Sequence, residues 1–263
     1  MKEVVESMKI FVLKKSSILF YAITIIAAAA IIFTNWDSSL MVFNENSDLK
    51  GLPIYCVDKG EEKICAISFD AAWGNEDTGK LIKILDDHNV KTTFFVVGSW
   101  VDKYPESVKE LSDAGHEIMN HSNSHPHMTQ ISKEAMQKEI DQCDAKIKAI
   151  TGVEPYLFRP PYGDYNKDVI EEVSKCGHYT MQWSVDSLDW KDLSAQEIYA
   201  RVTGNIHPGA IVLFHNAAKN TPEALPMILK TLQDDGYKIV PVSEIIMRDN
   251  YTIDHTGKQI SKK

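Results

Sequence analysis

Charged and imidazole side chains recur in this sequence directly after short apolar runs, and their types can bind metal or move protons. The set comprises Asp70, His121, His125, Arg159, Asp186, Asp189 and His215. Two imidazoles four residues apart suit a divalent metal, while a carboxylate and a further imidazole suit general base and general acid catalysis. Each residue alone also fits an ordinary role in a turn, a salt bridge or the core. Their recurrence after one apolar run after another favours a single functional site.

The apolar runs are predicted strands, and they alternate with segments of helical spacing. Strands are predicted at 65–69, 92–97, 116–120, near 158, 178–183, 210–214 and 237–240. Helices are predicted at 76–88, 105–114, 132–150, 168–176, 194–205 and 222–234. This alternation predicts an α/β fold with parallel strands and helical crossovers, as a barrel or a doubly wound sheet. In such barrels functional groups collect at the carboxyl ends of strands, where the polar set falls.

Composition indicates which partners the chain can bind and whether its cysteines form disulfides or zinc sites. The chain has 263 residues and a net charge of −9, which argues against a nucleic-acid partner. Its four cysteines form no CxxC pair, so neither a zinc ribbon nor a dense disulfide scaffold is expected. Mostly buried free thiols are expected instead.

The first part of the chain has the pattern of a membrane anchor. Residues 16–36 carry no charge and are long enough to span a bilayer as a helix. Lysines precede this segment and acidic residues follow it, so residues 1–15 are predicted to be cytoplasmic and the remainder exported. A cleavable signal peptide is the alternative, but the apolar residues run on through Phe33. We predict a single-pass membrane protein with a linker at 37–62, an extracytoplasmic catalytic domain at 63–247, and a polar, loosely ordered tail at 248–263.

From about residue 63 to 245 the sequence resembles the polysaccharide deacetylases, the NodB-homology group of carbohydrate esterases. The matching motifs are His121-x-x-x-His125, Arg159-x-Pro161-Tyr162-Gly163, Asp186-x-x-Asp189-Trp190 and Leu213-x-His215. The first motif, Ser-Phe-Asp-Ala-Ala-Trp-Gly at 68–74, is most similar to the PdaB-like sporulation deacetylases. The resemblance implies a distorted (β/α) barrel. It also implies a hydrolase that removes N-acetyl groups from a cell-wall glycan, either peptidoglycan or a related N-acetylglucosamine polymer.

The resemblance also implies a role for each motif residue. His121 and His125 would bind a divalent metal, Zn²⁺ first and otherwise Co²⁺ or Ni²⁺. Asp70 would be the general base, oriented by Arg159, and His215 the general acid, held by Asp189. The remaining motif residues would bind substrate: Tyr162 through its backbone N–H, Leu213 and Trp190 as walls of an acetyl pocket, and Asp186.

One position departs from the family pattern. Most members have a second aspartate after the first, as the third metal ligand, and here that residue is Ala71. Catalytic zinc normally has three protein ligands and a water. Water, substrate or a side chain near in sequence (Asn75, Asp77 or His127) is left to fill the position, and a lower metal affinity is expected.

Two other functions compete with deacetylation. A non-catalytic glycan-binding or regulatory protein would explain Ala71, and Trp73, Trp183 and Trp190 would then stack on sugar rings. Binding alone, however, requires no matched base and acid. A metallopeptidase is less consistent with the sequence because it contains no His-Glu-x-x-His motif.

Overall fold

The computed structural model describes residues 51–262. Its strands are β1 (Cys56–Val57), β2 (Ile64–Ala71), β3 (Thr93–Val96), β4 (Glu117–Asn120), β5 (Leu157–Phe158), β6 (Tyr179–Thr180), β7 (Val185–Asp186), β8 (Ile211–His215), β9 (Lys238–Val240), β10 (Tyr251–Ile253) and β11 (Lys258–Ser261). Its helices are α1 (Thr78–Asp87), α2 (Gly98–Lys103), α3 (Pro105–Asp113), α4 (Lys133–Thr151), α5 (Lys167–Lys175), α6 (Ala195–Asn205), α7 (Thr221–Asp234) and α8 (Val242–Ile245). Short 3₁₀ turns follow β4, β5 and β7, at Met128–Gln130, Pro161–Gly163 and Asp189–Lys191.

A curled parallel sheet forms the body of the protein. Its strands lie in the order β6-β5-β4-β3-β2-β8-β7, and β9 pairs with the first residues of β2. Every pairing along this order is parallel. The sheet is an incompletely closed barrel, so the structure selects the barrel over the doubly wound sheet.

The side chains of β2 show how the strand period separates core from site. Ile67 and Phe69 pack with apolar side chains of the surrounding helices, whereas Ile64 and Ala66 pack in a second cluster with residues of the other strands. Successive side chains of a strand point to opposite faces. Asp70 therefore follows Ile64 and Ala66 on the inner face, at the carboxyl end of the strand.

The helix boundaries follow local capping chemistry. The Ser132 side chain accepts a hydrogen bond from the backbone N–H of Ala135 at the start of α4, and Gly152 ends that helix with φ +73°. Ser194 and Glu197 form a reciprocal capping box at the start of α6. Both serines were predicted as N-caps because a hydroxyl satisfies an unpaired N–H of the first helical turn.

Both predicted ends of the domain need correction. The segment 248–263 was predicted to be loose, but β10 and β11 form an antiparallel hairpin, and β11 also pairs with β1. The predicted linker 37–62 likewise contains β1, and Ile54 is buried and pairs with Met181. Both segments are short and mixed in polarity, so no apolar period indicated that they pair with each other.

The predicted anchor at 16–36 lies outside the described residues. Between residues 51 and 262, no helix has the length and apolar character needed to cross a membrane.

Residues 54–57, here called the strap, run from the end of β6 to the start of β8. Ile54 pairs with Met181 and Cys56 with Ala210, while the backbone N–H of Val57 donates to the carbonyl of Gly209 at 3.0 Å. Gly209 has φ +80°, and a Cβ added there would lie 1.7 Å from the Val57 carbonyl oxygen. Only glycine lets the strap approach β8 this closely.

We expect Gly209→Ala to destabilise the protein far more than Gly177→Ala. Gly177 also has a positive φ, +83°, but a Cβ added there would meet no atom within 4 Å. Its substitution therefore measures the conformational cost alone, about 1 kcal/mol. Gly209→Ala adds a backbone collision and should cost about 3 kcal/mol or more. Urea unfolding of both variants measures the difference. Equal midpoints would show that the strap does not need this close approach.

Candidate active site

A pocket of about 480 Å³ opens among the carboxyl ends of the inner strands. Its lining residues are Asp70, Trp73, His121, His125, Tyr162, Gly163, Trp183, Asp186, Trp190, Leu213 and His215. A larger groove of about 600 Å³ lies beside β6, but it contains none of the predicted site residues. The structure thus brings the predicted residues together in one pocket, with Arg159 and Asp189 behind those that line it.

Asp70 and Arg159 form a buried ion pair at the base of the pocket. An Arg159 Nη1–H donates to Asp70 Oδ1 at 2.8 Å, and Nη2 donates to Ser68 Oγ at 2.9 Å and to the Gln182 carbonyl at 3.3 Å. Burial alone would raise the pKa of Asp70, but the Arg159 guanidinium, followed by His121 and His215, lowers it below its usual range. Asp70 is therefore an ionised carboxylate at neutral pH, held in one orientation.

Aromatic rings cover the faces of the Arg159 guanidinium. Its Cζ lies 4.1 Å from the ring centre of Phe95 and 5.7 Å from that of Trp183. The side chain is fully buried, and its Nε has no hydrogen-bond partner among the described residues. The guanidinium is thus held by one carboxylate, two neutral acceptors and two aromatic faces.

His121 and His125 present their rings side by side, with ring centres 5.0 Å apart. His121 Nδ1 lies 2.7 Å from the Arg159 carbonyl oxygen, which can only accept, so Nδ1 carries the proton and Nε2 keeps its lone pair. His121 Nε2 lies 3.5 Å from Asp70 Oδ2. Burial lowers the pKa of His121. Burial first, and then the unfavourable proximity of His121 when both rings are protonated, lower the pKa of His125 to about 4. Both imidazoles are therefore neutral near pH 7, the form that binds metal.

The loop that carries the two histidines is held by side-chain hydrogen bonds. Asn120 Oδ1 accepts from the backbone N–H of Ser122 at 2.7 Å, and Ser122 Oγ accepts from that of His125 at 3.0 Å. Ser122 and His125 both have positive φ, at 68° and 62°. These bonds hold a backbone conformation that non-glycine residues rarely adopt.

His215 lies at the end of β8, directly opposite Asp70 in the register of the two strands. Its Nδ1 lies 2.7 Å from Asp189 Oδ1, and its backbone N–H donates to Asp189 Oδ2 at 2.9 Å. Thr221 also donates to that carboxylate, at 2.7 Å. Burial alone would lower the pKa of His215, but the hydrogen bond and charge of Asp189 outweigh it and raise the pKa above its ordinary value.

No described side chain takes the place of the aspartate that the family pattern has at position 71. Ala71 is fully buried and packs in the apolar cluster beside the helices. Asn75 donates to Ser107, Asp77 accepts from the Ala217 backbone, and His127 stacks on Tyr162, so none of the three lines the pocket. Across residues 51–262 no group of three or more His, Cys, Asp or Glu side chains is placed to hold a metal.

Several residues that support the site were not predicted. Ser68 and the Gln182 carbonyl bind Arg159, and Thr221 binds Asp189. Ser68 had a detectable signal, because it is polar at a position two residues before Asp70 and therefore on the same face of β2. Gln182 acts through its backbone and Thr221 from the start of a helix, so residue type gave no indication of either role.

We expect Asp189→Asn to lower the pKa of His215. In the wild type this pKa lies above 6.5; without the adjacent carboxylate charge, burial favours the neutral ring. Histidine Cε1–H signals followed by NMR across pH 5–9 measure the change. Asp192→Asn, which alters an exposed aspartate of the neighbouring loop, is the matched control. An unchanged titration in Asp189→Asn would contradict the assigned pairing.

Comparisons with known proteins agree with this geometry. Residues 58–181 match the family model described as polysaccharide deacetylase. The chain is 32% identical to the peptidoglycan-N-acetylmuramic acid deacetylase PdaA of Bacillus subtilis over 205 residues, 76% of this chain and 78% of PdaA. It is 35% identical to the uncharacterized protein YlxY of the same organism over 196 residues, 74% of this chain and 60% of YlxY.

A solved structure gives the same result. A CE4 family pseudoenzyme from Bacillus anthracis superposes with a TM-score of 0.72 at 34% identity, covering 75% of this chain and 70% of that one. A mutant of that pseudoenzyme, described as having restored enzymatic activity, matches equally well, with a TM-score of 0.72 at 35% identity over 75% of this chain and 72% of that one. The motif residues converge in one pocket. A relative matched over 78% of its length and a solved structure with the same fold each share about a third of the aligned sequence with this chain. The chain belongs to the polysaccharide deacetylase family.

Proposed function

We propose that this protein is a metal-dependent N-deacetylase of an N-acetylated cell-wall glycan, either peptidoglycan or a related N-acetylglucosamine polymer. One observation carries the proposal: an ionised carboxylate and a carboxylate-held imidazole, Asp70 and His215, lie side by side on neighbouring strands and line one pocket. Binding alone would not need this pair. Hydrolysis of an acetamide needs both a base for water and an acid for the departing amine.

The chain's own groups divide this chemistry between them. Asp70 accepts the proton of the attacking water, and Arg159 keeps the carboxylate ionised and pointed at the pocket. His215 Nδ1 donates to Asp189, so its Nε2 is the nitrogen free to protonate the leaving amine. Leu213 and Trp190 give the acetyl methyl an apolar wall. The backbone N–H of Tyr162 donates to the oxyanion, and Asp186 contacts the sugar.

His121 and His125 fit a divalent metal as two neutral imidazole ligands. The bond from His121 Nδ1 to the Arg159 carbonyl fixes the ring so that Nε2 is the ligand atom, as is usual for metal-binding histidines. A divalent ion held there, Zn²⁺ first and otherwise Co²⁺ or Ni²⁺, would polarise the acetyl carbonyl and make water a better nucleophile at neutral pH. With Ala71 in the third ligand position, we propose that water or substrate completes the coordination.

A glycan-binding or regulatory protein is the second candidate. The open third position among the described residues favours it, as does the likeness to a CE4 family pseudoenzyme. In that case the pocket would bind N-acetylated sugar without hydrolysing it.

Localisation is part of the proposal. The uncharged segment 16–36, with lysines before it and acidic residues after it, supports a single-pass anchor with the catalytic domain outside the cytoplasm. The form of the first motif, Ser-Phe-Asp-Ala-Ala-Trp-Gly at 68–74, is the reason for proposing a role in sporulation.

We expect zinc-dependent acetate release from peptidoglycan or from a β-1,4-linked N-acetylglucosamine tetramer. The full-length chain, kept in a detergent without sugar head groups, is assayed with Zn²⁺ and with chelator. His121→Ala and Asp70→Asn should each lower the rate about 100-fold or more, because each removes a group needed in the transition state. His255→Ala, at an exposed histidine of the hairpin, is the matched control.

Circular dichroism establishes that each variant is folded. If folded wild type binds zinc and either glycan but releases no acetate, the second candidate replaces the first.

We expect Ala71→Asp to tighten zinc binding about 10–100-fold and to increase acetate release, since the family pattern has an aspartate ligand here and Ala71 is the last residue of β2, next to Asp70. Ala71→Asn is the matched control, with similar size and no charge. Isothermal titration with zinc measures the affinity, and thermal unfolding checks that the buried position tolerates the change. A folded Ala71→Asp protein with unchanged zinc affinity would mean that position 71 does not face the metal.

A further inference from the structure

Asp144 is a buried carboxylate that the proposed chemistry does not use. It lies on α4, on a buried face otherwise formed by Met136, Ile140, Cys143 and Ile147, and its exposed fraction is 8%. A carboxylate inside a protein costs free energy unless hydrogen-bond donors reach it. An apolar side chain would suit this face of the helix better, so the contacts of Asp144 must offset that cost.

Two side chains contact the same oxygen of Asp144. Asn120, the last residue of β4, donates from Nδ2 to Asp144 Oδ1 at 2.7 Å, and His178 Nε2 lies 3.2 Å from that oxygen. The Nδ2 group of Asn120 also donates to the backbone carbonyl of Ile140 at 2.9 Å. Asn120 is fully buried, so water does not compete for these hydrogen bonds.

The two acceptors determine which way the Asn120 amide points. A carboxylate oxygen and a backbone carbonyl only accept hydrogen bonds, so the amide nitrogen must face them and the amide oxygen must face away. That oxygen accepts from the backbone N–H of Ser122 at 2.7 Å. In the opposite orientation the amide nitrogen would face the Ser122 N–H, and two donors would meet.

The Ser122 bond is the first of two that shape residues 121–125, here called the histidine loop. Ser122 Oγ in turn accepts from the backbone N–H of His125 at 3.0 Å, and both residues have a positive φ. Such backbone conformations persist only where the surroundings fix them. A continuous series of hydrogen bonds thus runs from Asp144 on α4 through Asn120 and Ser122 to His125.

We propose that Asp144 is a positioning residue. By fixing the Asn120 amide, it holds the histidine loop in the shape that places the His121 and His125 rings side by side. The inference rests on the proposed function only for the metal that these rings would bind. The hydrogen bonds themselves involve no metal, so the positioning can be tested without metal or substrate.

The experiment measures backbone amide exchange by NMR on the chelator-treated full-length chain, at the N–H groups of Ser122 and His125. Asp144→Ala removes the acceptor and introduces a residue that favours helix, so α4 should persist. Asp144→Asn keeps an oxygen that can accept from Asn120. Isothermal titration with zinc is run on every variant, and thermal unfolding establishes that each variant is folded.

Two further substitutions separate positioning from the simple loss of a buried group. Glu172→Ala is the matched control, because Glu172 is a buried carboxylate on α5 that accepts from Gln137 and Lys175 instead. Asn120→Ala, alone and combined with Asp144→Ala, tests whether the carboxylate acts through the amide, since residues in one series give non-additive effects.

We expect Asp144→Ala to speed exchange at Ser122 and His125 about tenfold. It should also weaken zinc binding about tenfold, the lower end of the range for losing an outer partner of a metal ligand. Asp144→Asn should recover part of both effects, and Glu172→Ala should cause neither. Adding Asp144→Ala to Asn120→Ala should change exchange and affinity little further.

Unchanged exchange in folded Asp144→Ala would overturn the inference, as would faster exchange with zinc affinity intact or additive effects in the double variant. If the wild type itself binds no zinc, faster exchange in Asp144→Ala that Asp144→Asn partly reverses would support the positioning role and contradict the metal-dependent deacetylase. Unchanged exchange in that case would overturn both.

Discussion

A guanidinium with no exposed surface is the constraint on which this site depends. A charge removed from water costs several kcal/mol unless it is paired and hydrogen-bonded, and breaking such a pair costs about 3–5 kcal/mol. Arg159 can be buried only where Asp70, Ser68 and the Gln182 carbonyl converge on it, which requires the carboxyl ends of β2, β5 and β6 to come together. The Arg159 carbonyl also orients His121, so one residue determines both the carboxylate and the first imidazole.

The histidines of this site differ in the protonation state that their surroundings favour. Burial outweighs the charge of nearby Asp70 and keeps His121 and His125 neutral, the form that can bind a metal. His215 is also largely buried, yet a carboxylate at 2.7 Å favours its protonated form, as a proton donor requires. This difference in protonation depends on which ring is hydrogen-bonded to Asp189. The protonation state of each ring is thus set by the side chains behind it, and Asp189 is in place behind His215 although position 71 is alanine.

The parts of the structure with a regular spacing of apolar residues could be predicted from the sequence. Apolar strands ending in Asp70, Asn120 and His215 could be placed because parallel strands bring their carboxyl ends to one edge. Ser132 and Ser194 could be placed because a helix start needs a cap. The hairpin at 251–261 escaped detection because its stability comes from pairing with β1, a contact without local pattern. The contacts of Gln182 and Thr221 escaped detection for a related reason, since a backbone carbonyl or a threonine hydroxyl in the first turn of a helix acquires a function only from what the fold places against it.

The pairing of β1 with β11 has a consequence for how the protein is made. Cys56 and Val57 lie in register with Lys258 and Gln259, residues from the opposite end of the domain. Beside them the backbone N–H groups of Tyr55 and Asp58 donate to the carbonyls of Gly257 and Gln259 at 2.9 and 2.8 Å. Contacts so distant in sequence form late, because a long stretch of chain must be ordered before they can close. During synthesis the strap therefore has no β partner from the hairpin until residues 258–261 have emerged. If the chain is exported, β1 and β11 pair outside the cell only once the whole domain has crossed the membrane. The barrel therefore lacks this closing contact throughout translocation.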